Sequence, residues 1–219
     1  MLVGWSDLEA RSEPVDVVIV GGGAAGLTLA DALSGTGLQV LVIEAGNVRQ
    51  TQAAQDLYQG ELVDPRVHPQ LQHYRVRAIG GASRIWGGRC LPFDPIDFES
   101  RPWVPGPGWP FGLEVLKPYY ERAQVVAEAG AFDYSPATAL PGKQIELAPG
   151  LDGEVLSTRL ERFSRPTNFW TLHDDRLKAD PKVGVLMDAP LTGVRLSADG
   201  ARVDHLEVRR PEGGIHKLK

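Results

Sequence analysis

The sequence predicts an α/β fold with a parallel sheet, and three stretches carry the prediction: the run DVVIV at 16–20, the loop GGGAAG at 21–26, and the run LQVLVIE at 38–44. A short continuous run of β-branched residues such as DVVIV is the pattern of a strand buried on both faces of a parallel sheet. The loop fits G-x-G-x-x-G with Gly21, Gly23 and Gly26. In that motif the first glycine permits a sharp turn, the second lets a pyrophosphate approach the backbone, and the third lets helix and strand pack closely. Ala24 to Ser34 is predicted as a helix with Leu27, Ala30, Asp31 and Leu33 along its packing face, stopped by Gly35 and Gly37. The strand at 38–44 completes a βαβ unit of the dinucleotide-binding, Rossmann type.

Glu44 stands at the carboxyl end of that second strand, 18 positions after Gly26. An acid about 20 residues beyond the motif accepts from ribose hydroxyls and repels a 2′-phosphate, so the ligand is FAD or NAD rather than NADP.

Composition narrows the partners. A chain of 219 residues that is 42% hydrophobic can bury a sizeable core. A formal net charge of -5 without a long basic run gives no electrostatic reason to bind nucleic acid or an anionic membrane. The single cysteine, Cys90, forms no internal disulfide framework and fits a reducing compartment. The N-terminal stretch carries Asp7, Glu9 and Glu13 and has no secretory-signal pattern, and no run reaches the ~20 apolar residues of a membrane span. A soluble, cytoplasmic protein is expected. His68, His73, His205 and His216 lack metal-ligand spacing, so no metal site is expected.

A second glycine cluster follows at IGGASRIWGGRC, residues 79–90. One turn needs one or two glycines, and this loop has four. A bare backbone far along the chain from the first loop suits a ligand longer than ADP, with a flavin ring lying against it and a pyrophosphate accepting its amides. Residues 92–111 are dense in proline and tryptophan and read as an extended strap. A helix is predicted over Lys117–Ala129, with Leu116, Tyr120, Ala123 and Ala127 on one face and Tyr119 and Tyr120 in packing roles. Val183–Met187 returns to the apolar strand pattern. Turns at Asp199-Gly200 and at PEGG, 211–214, then predict a three-stranded meander ending in Ile215–Lys219.

Taken together, VDVVIVGGGAAG with VLVIEAG, IGGASRIWGG, DFESRPW, WPFGLEVLKPYYERAQ, FSRPTNFW and VGVLMDAPLTGVRLSADG resemble the glucose-methanol-choline (GMC) family of FAD-dependent oxidoreductases. The resemblance runs from about Val15 to the end and lies closest to bacterial sugar and glycoside, pyranose-oxidase-like members. It implies a Rossmann-type FAD-binding domain plus part of an α+β substrate domain, truncated at the C-terminus. The implied boundaries are 1–130 for the first part of the FAD domain, 131–182 for a partial substrate-domain segment, and 183–219 for the return to the FAD domain. By the same resemblance Gly80, Gly81, Ser83, Trp86 and Gly87 lie against the cofactor, with Arg77 just before them and Leu191 near the adenine. Arg84 and Arg89 are expected to be surface charges or charges one layer behind the cofactor contacts, neither of them catalytic, and Cys90 a small buried residue. Asn168, Phe169, Trp170 and His173 are candidates for the substrate side or for packing.

Relatives that attach FAD covalently through this loop carry a histidine two residues after the serine, where Ile85 stands here, so FAD is expected to be non-covalent. The reaction implied is oxidation of a CH–OH group of a sugar or related alcohol, with a histidine base taking the hydroxyl proton as hydride passes to the flavin. Oxygen, a quinone or a protein then reoxidises the flavin. That histidine lies beyond Lys219 in the family, so no catalytic residue is assigned and residues 1–219 alone are expected to be inactive. Two other readings stand beside this one: a module that binds a dinucleotide without catalysis, and an NAD-dependent dehydrogenase, which leaves the second loop unexplained.

Overall fold

The computed structural model describes residues 2–11, 14–140, 142–143, 150, 158–165 and 167–219. Residues 144–149 and 151–157, within the stretch expected to belong to a substrate domain, lie outside the described residues. The chain divides into two compact units, Met1–Trp86 with Asn168–Lys219, and Gly87–Thr167. The sequence reading set its divisions at 130/131 and 182/183 instead; the contacts of the chain group residues 168–182 with the nucleotide motif.

In the first unit the elements run β1 (Leu2–Val3), α1 (Trp5–Glu9), β2 (Val17–Val20), α2 (Ala24–Leu33), β3 (Val40–Ile43) and α3 (Gln52–Asp56). In the second they are β4 (Arg89–Cys90), α4 (Leu113–Val126), α5 (Pro136–Ala139) and β5 (Arg162–Phe163). The chain then re-enters the first unit with α6 (Phe169–Ala179), β6 (Val183–Leu186), β7 (Leu191–Leu196), β8 (Val203–Arg209) and β9 (Ile215–Leu218). Four strands form a parallel sheet in the order β1-β6-β3-β2. Val40 to Ile43 pair with Val17 to Val20 on one side and with Val183 to Leu186 on the other.

All four side chains of β3 are at most 1% exposed. Each such burial contributes roughly 1.5–3 kcal/mol, which makes β3 the centre of the sheet. The expectation that residues 16–20 form a strand buried on both faces is corrected here. Among the described residues β2 lies at the edge of the sheet, Ile19 is its one buried residue, and Val20 is 52% exposed. Its apolar run matches a central strand in composition, but among the described residues its one sheet neighbour is β3.

The βαβ unit forms where predicted. Leu27 and Ala30 of α2 are fully buried, and Gly26 sits where a Cβ would lie 2.0 Å from the carbonyl oxygen of Gly21. Against α2 packs α6, whose Asn168 caps it by accepting from the Trp170 N–H at 3.0 Å. Arg176 pairs with Asp31 at 3.1 Å, and His173, 7% exposed, has its Nδ1 3.7 Å from the same carboxylate. Burial holds the His173 pKa below the usual imidazole value, the Asp31 charge opposing that shift only in part.

The N-terminal β1 and α1 were not foreseen, since a two-residue strand has no periodicity to read. Leu8 joins Leu41, Ile43, Leu186, Ala189, Val208 and Leu218 in one core cluster. The meander β7–β9 is antiparallel, as expected from its two turns.

In the second unit, α4 begins at Leu113, four residues before the predicted start, because Gly112 caps it and Glu114 supplies an acid to its first turn. Its inward face also differs from the expectation. Gln124 is buried, donating to the Tyr134 hydroxyl at 2.8 Å, whereas Ala123 is exposed. Tyr120 stacks on Phe132, but Tyr119 is 58% exposed and lies under the Arg122 guanidinium, so it is not a packing residue. The proline-rich strap folds on its own aromatics, with Phe93, Phe98, Trp109 and Phe111 in mutual edge and tilted contacts.

Two stability measurements check this account. Gly26→Ala forces a methyl into the Gly21 carbonyl and is expected to cost about 1–3 kcal/mol, read as a lower urea midpoint without any ligand. The unfolded chain protonates a histidine near pH ~6.5, while folded His173 resists protonation. Its contribution is therefore complete above that pH and is lost as pH falls through the lowered folded value. His173→Gln should flatten the pH dependence of the midpoint over that window, and an unchanged slope would exclude His173 as its source.

Candidate functional site

The carboxyl end of the parallel sheet carries a cleft of about 440 Å³. Its floor is the first glycine loop. Gly21 adopts φ 97 and donates its N–H to the Ile43 carbonyl at 2.8 Å, which turns the chain off β2. Gly23 is the N-cap of α2, with no side chain capping the helix and no acid in its first turn. The free amides of that turn make the positive end of the helix an anion site.

Glu44 follows β3 and is 7% exposed. One carboxylate oxygen accepts from the Gly22 N–H at 2.8 Å and the other from the Gly46 N–H at 2.7 Å. Each oxygen keeps a further lone-pair direction, so Glu44 can brace the loop and still accept from a ligand hydroxyl.

The second glycine loop lies directly on the first. Gly80 donates its N–H to the Gly22 carbonyl at 2.6 Å, and a Cβ on Gly81 would stand 3.1 Å from the Gly23 Cα. The loops are remote in sequence and adjacent in space. Bareness in the second loop therefore serves the contact between the two backbones as well as any ligand.

Of the residues singled out from sequence, Gly21, Gly23, Glu44, Arg77, Gly81 and Leu191 come together on the wall of this cleft. Gly26 is packed beneath the loop, against Gly21. Gly80 is turned toward Gly22, and Ser83 is committed to the Gly80 carbonyl at 2.6 Å and to the Phe169 N–H at 3.2 Å. Trp86 packs with its ring centroid 6.1 Å from that of Phe169. Gly87 belongs to the second unit, with no atom within 4 Å of where its Cβ would be.

Among the other candidates, Arg84 is half-buried and donates to the Ile79 carbonyl at 3.1 Å, so of its two expected places it takes the one behind the loop, which it braces. Arg89 is exposed and paired with Glu161. Cys90 is half-buried, its Sγ 3.4 Å from the Gly88 carbonyl. Asn168, Phe169, Trp170 and His173 are all engaged in capping or packing α6. Tyr58, Arg75 and Ala82 also wall the cleft. Sequence reasoning missed them because a tyrosine in a polar segment and an arginine two residues before Arg77 form no motif. Among the described residues no group of His, Cys, Asp and Glu is arranged to hold a metal ion, and no helix is long and apolar enough to cross a membrane.

The family described as DAO, FAD dependent oxidoreductase, matches residues 16–159, and the chain belongs to it. Paromamine 6'-oxidase of Streptomyces fradiae is 32% identical over 134 residues, which is 54% of this chain and 24% of that protein. The 6'''-hydroxyparomomycin C oxidase of Streptomyces lividus is 29% identical over 123 residues, 48% of this chain and 21% of that one. The solved structure of pyridoxine 4-oxidase from Mesorbium loti shares the fold, with a TM-score of 0.56 at 20% identity, covering 93% of this chain and 47% of its own. The matched regions thus span about a quarter or less of the curated relatives and under half of the solved structure.

The empty space beside Gly23 gives a test of the cleft that is independent of folding. Gly23 has φ -83, and a Cβ there would meet nothing within 4 Å. Gly23→Ala should leave the urea midpoint of the unliganded protein within about 1 kcal/mol of the parent, yet weaken FAD at least about tenfold by blocking phosphate approach. Unchanged FAD affinity would remove Gly23 from the site.

Proposed function

We propose that this chain carries the FAD-binding part of a GMC-type oxidoreductase that oxidises a CH–OH group of a sugar, glycoside or related small alcohol, with FAD held non-covalently. The observation that carries the proposal is the joining of the two glycine loops, Gly80 N–H to Gly22 C=O, with Gly21, Gly23 and Gly81 from the two loops lining one cleft together with Glu44. The cleft fits the ADP half of FAD on its own geometry. The amides at the start of α2 and the bare flank of Gly23 suit the pyrophosphate, Glu44 suits the ribose hydroxyls, and Ala189 and Leu191 offer an apolar wall to the adenine.

When bound, FAD supplies the two-electron acceptor that no side chain can replace. The chain's own residues bind and orient: Glu44 fixes the first loop, while Gly80 and Gly81 bring the second loop against it. Oxidation of an alcohol is favoured because paromamine 6'-oxidase is an oxidase in name, as is the pyridoxine 4-oxidase that shares the fold. Non-covalent attachment is favoured by Ile85, which is 54% exposed and has no nucleophilic atom. The single cysteine favours a cytoplasmic location.

The test is made on protein expressed from its complete reading frame. It should be yellow, acid precipitation should release the flavin into the supernatant, and anaerobic addition of a suitable sugar or alcohol should bleach the flavin bands. Glu44→Ala is expected to lose about 2–3 kcal/mol of FAD binding, the scale of paired charge-assisted hydrogen bonds. A colourless protein overturns the cofactor assignment, flavin retained in the pellet overturns the non-covalent one, and bleaching by no CH–OH donor overturns the reaction.

A further inference from the structure

One wall of the cleft is the segment Arg75–Arg77, and its conformation depends on a residue outside the cleft. Gln55, on the short helix α3, is 7% exposed. Its Nε2 donates to the carbonyls of Gln72 at 2.9 Å and Arg75 at 2.6 Å, and its Oε1 accepts from the Arg77 N–H at 3.2 Å. The only ladder contact near this segment among the described residues is the isolated bridge of Ala78 with Asn47. The side-chain amide of Gln55 therefore takes the place that a neighbouring strand would fill, pairing two carbonyls and one N–H of this segment. From the other side, the missing Cβ of Gly46 admits the Arg77 carbonyl, which would lie 2.2 Å from it. The backbone of Arg77 is thus fixed on both flanks.

The Arg77 side chain is held equally firmly but is not neutralised. Its guanidinium carbon lies 4.1 Å from the centroid of the Tyr58 ring, and its Nε is buried without a hydrogen-bond partner. The nearby acid of the cleft, Glu44, already has both oxygens on backbone amides. Arg75 is tied to the Leu71 carbonyl at 2.6 Å, which leaves Arg77 as the differently placed cation of this wall. A partly desolvated guanidinium resting on an aromatic face, in the cleft that Gly23 also lines, is suited to an anion.

We infer that Gln55 is a positioning residue for nucleotide binding: it fixes residues 72–77 so that Arg77, laid flat on Tyr58, presents its N–H donors to a phosphate of the dinucleotide. The inference rests on the reading of the cleft as an FAD site and adds two residues, Gln55 and Tyr58, that no motif points to. A merely structural Gln55 would affect every ligand alike, whereas a residue acting through Arg77 affects the phosphate-bearing ones.

The experiment measures dissociation constants of FAD, ADP and adenosine for the parent, Gln55→Met, Arg77→Gln and the double variant. Each single change should weaken FAD and ADP by about tenfold to a hundredfold, the scale of a hydrogen bond to a charged group, and adenosine by less than about twofold. The double variant should bind ADP no more weakly than Arg77→Gln alone. Additive losses, or equal losses for ADP and adenosine, overturn the inference. Should Gln55→Met fail to fold, Tyr58→Phe and Tyr58→Leu replace it. The phenylalanine should keep ADP affinity and the leucine should lose it, and a leucine variant that binds like the parent overturns the proposal. A parent that binds neither FAD nor ADP overturns the dinucleotide reading itself, while a parent that binds both, with unaffected variants, overturns this inference alone.

Discussion

The hydrogen bond of 2.6 Å from the Gly80 amide to the Gly22 carbonyl holds together two turns that lie far apart in the chain, and the geometry of the cleft follows from it. A backbone-to-backbone contact of this kind requires both chains to be bare where they meet. At Gly22 a Cβ would stand 2.2 Å from the Ile79 Cδ1, and at Gly80 one would stand 2.5 Å from the Asn168 Oδ1. A side chain at Gly22 would push Ile79 and the second loop away from the first, and one at Gly80 would press on the N-cap of α6. Glu44 completes the joint, since its carboxylate bonds Gly22 on one oxygen and Gly46 on the other. Gly46 in turn touches Arg77, just before the second loop. One acid thus ties the end of β3 to the first glycine turn and to Gly46, which packs against the residue leading into the second.

The parts of this arrangement legible in the sequence were those with local periodicity or fixed spacing. The βαβ unit, its three glycines, Glu44 and the hairpin at Asp199-Gly200 each depend on residues close together in the chain, and each formed where expected. What stayed hidden depended on contacts between distant segments. The edge position of β2 is set by strand order, which a run of valines does not encode. Gln55 looks like any polar residue of a short helix until its three backbone partners, 17 to 22 residues away, are in place. Ser83 and Trp86 are expected against the cofactor only through the family resemblance, and nothing in the loop's own sequence shows what else they touch. Their partners are in α6, more than eighty residues further on.

Helix α6 shows how one element serves both stability and the site. Its outer end meets α2 through Asp31, His173 and Arg176, while its N-terminus receives the second loop through Ser83 and Phe169. The N-cap oxygen of Asn168 also lies against Gly80. Movement of α6 along α2 would therefore be felt at the Gly80–Gly22 bond, which places Asp31, His173 and Arg176 in the support of the cleft.

The glycines themselves sort by what occupies the space of the absent side chain. At Gly22, Gly26, Gly46, Gly80 and Gly88 that space is already filled by protein atoms, so the folded chain alone accounts for the choice of residue. Gly21 has no neighbour there, but its positive φ of 97 explains it. Gly23 and Gly87 have neither an obstructing atom nor a positive φ. Glycine costs roughly 0.5–1 kcal/mol relative to alanine in a regular element, through the entropy of the unfolded chain. Where neither packing nor backbone geometry accounts for that cost, the open space is what glycine supplies. At Gly23, the space opens at the amide end of α2, where the free N–H groups already favour a negative charge.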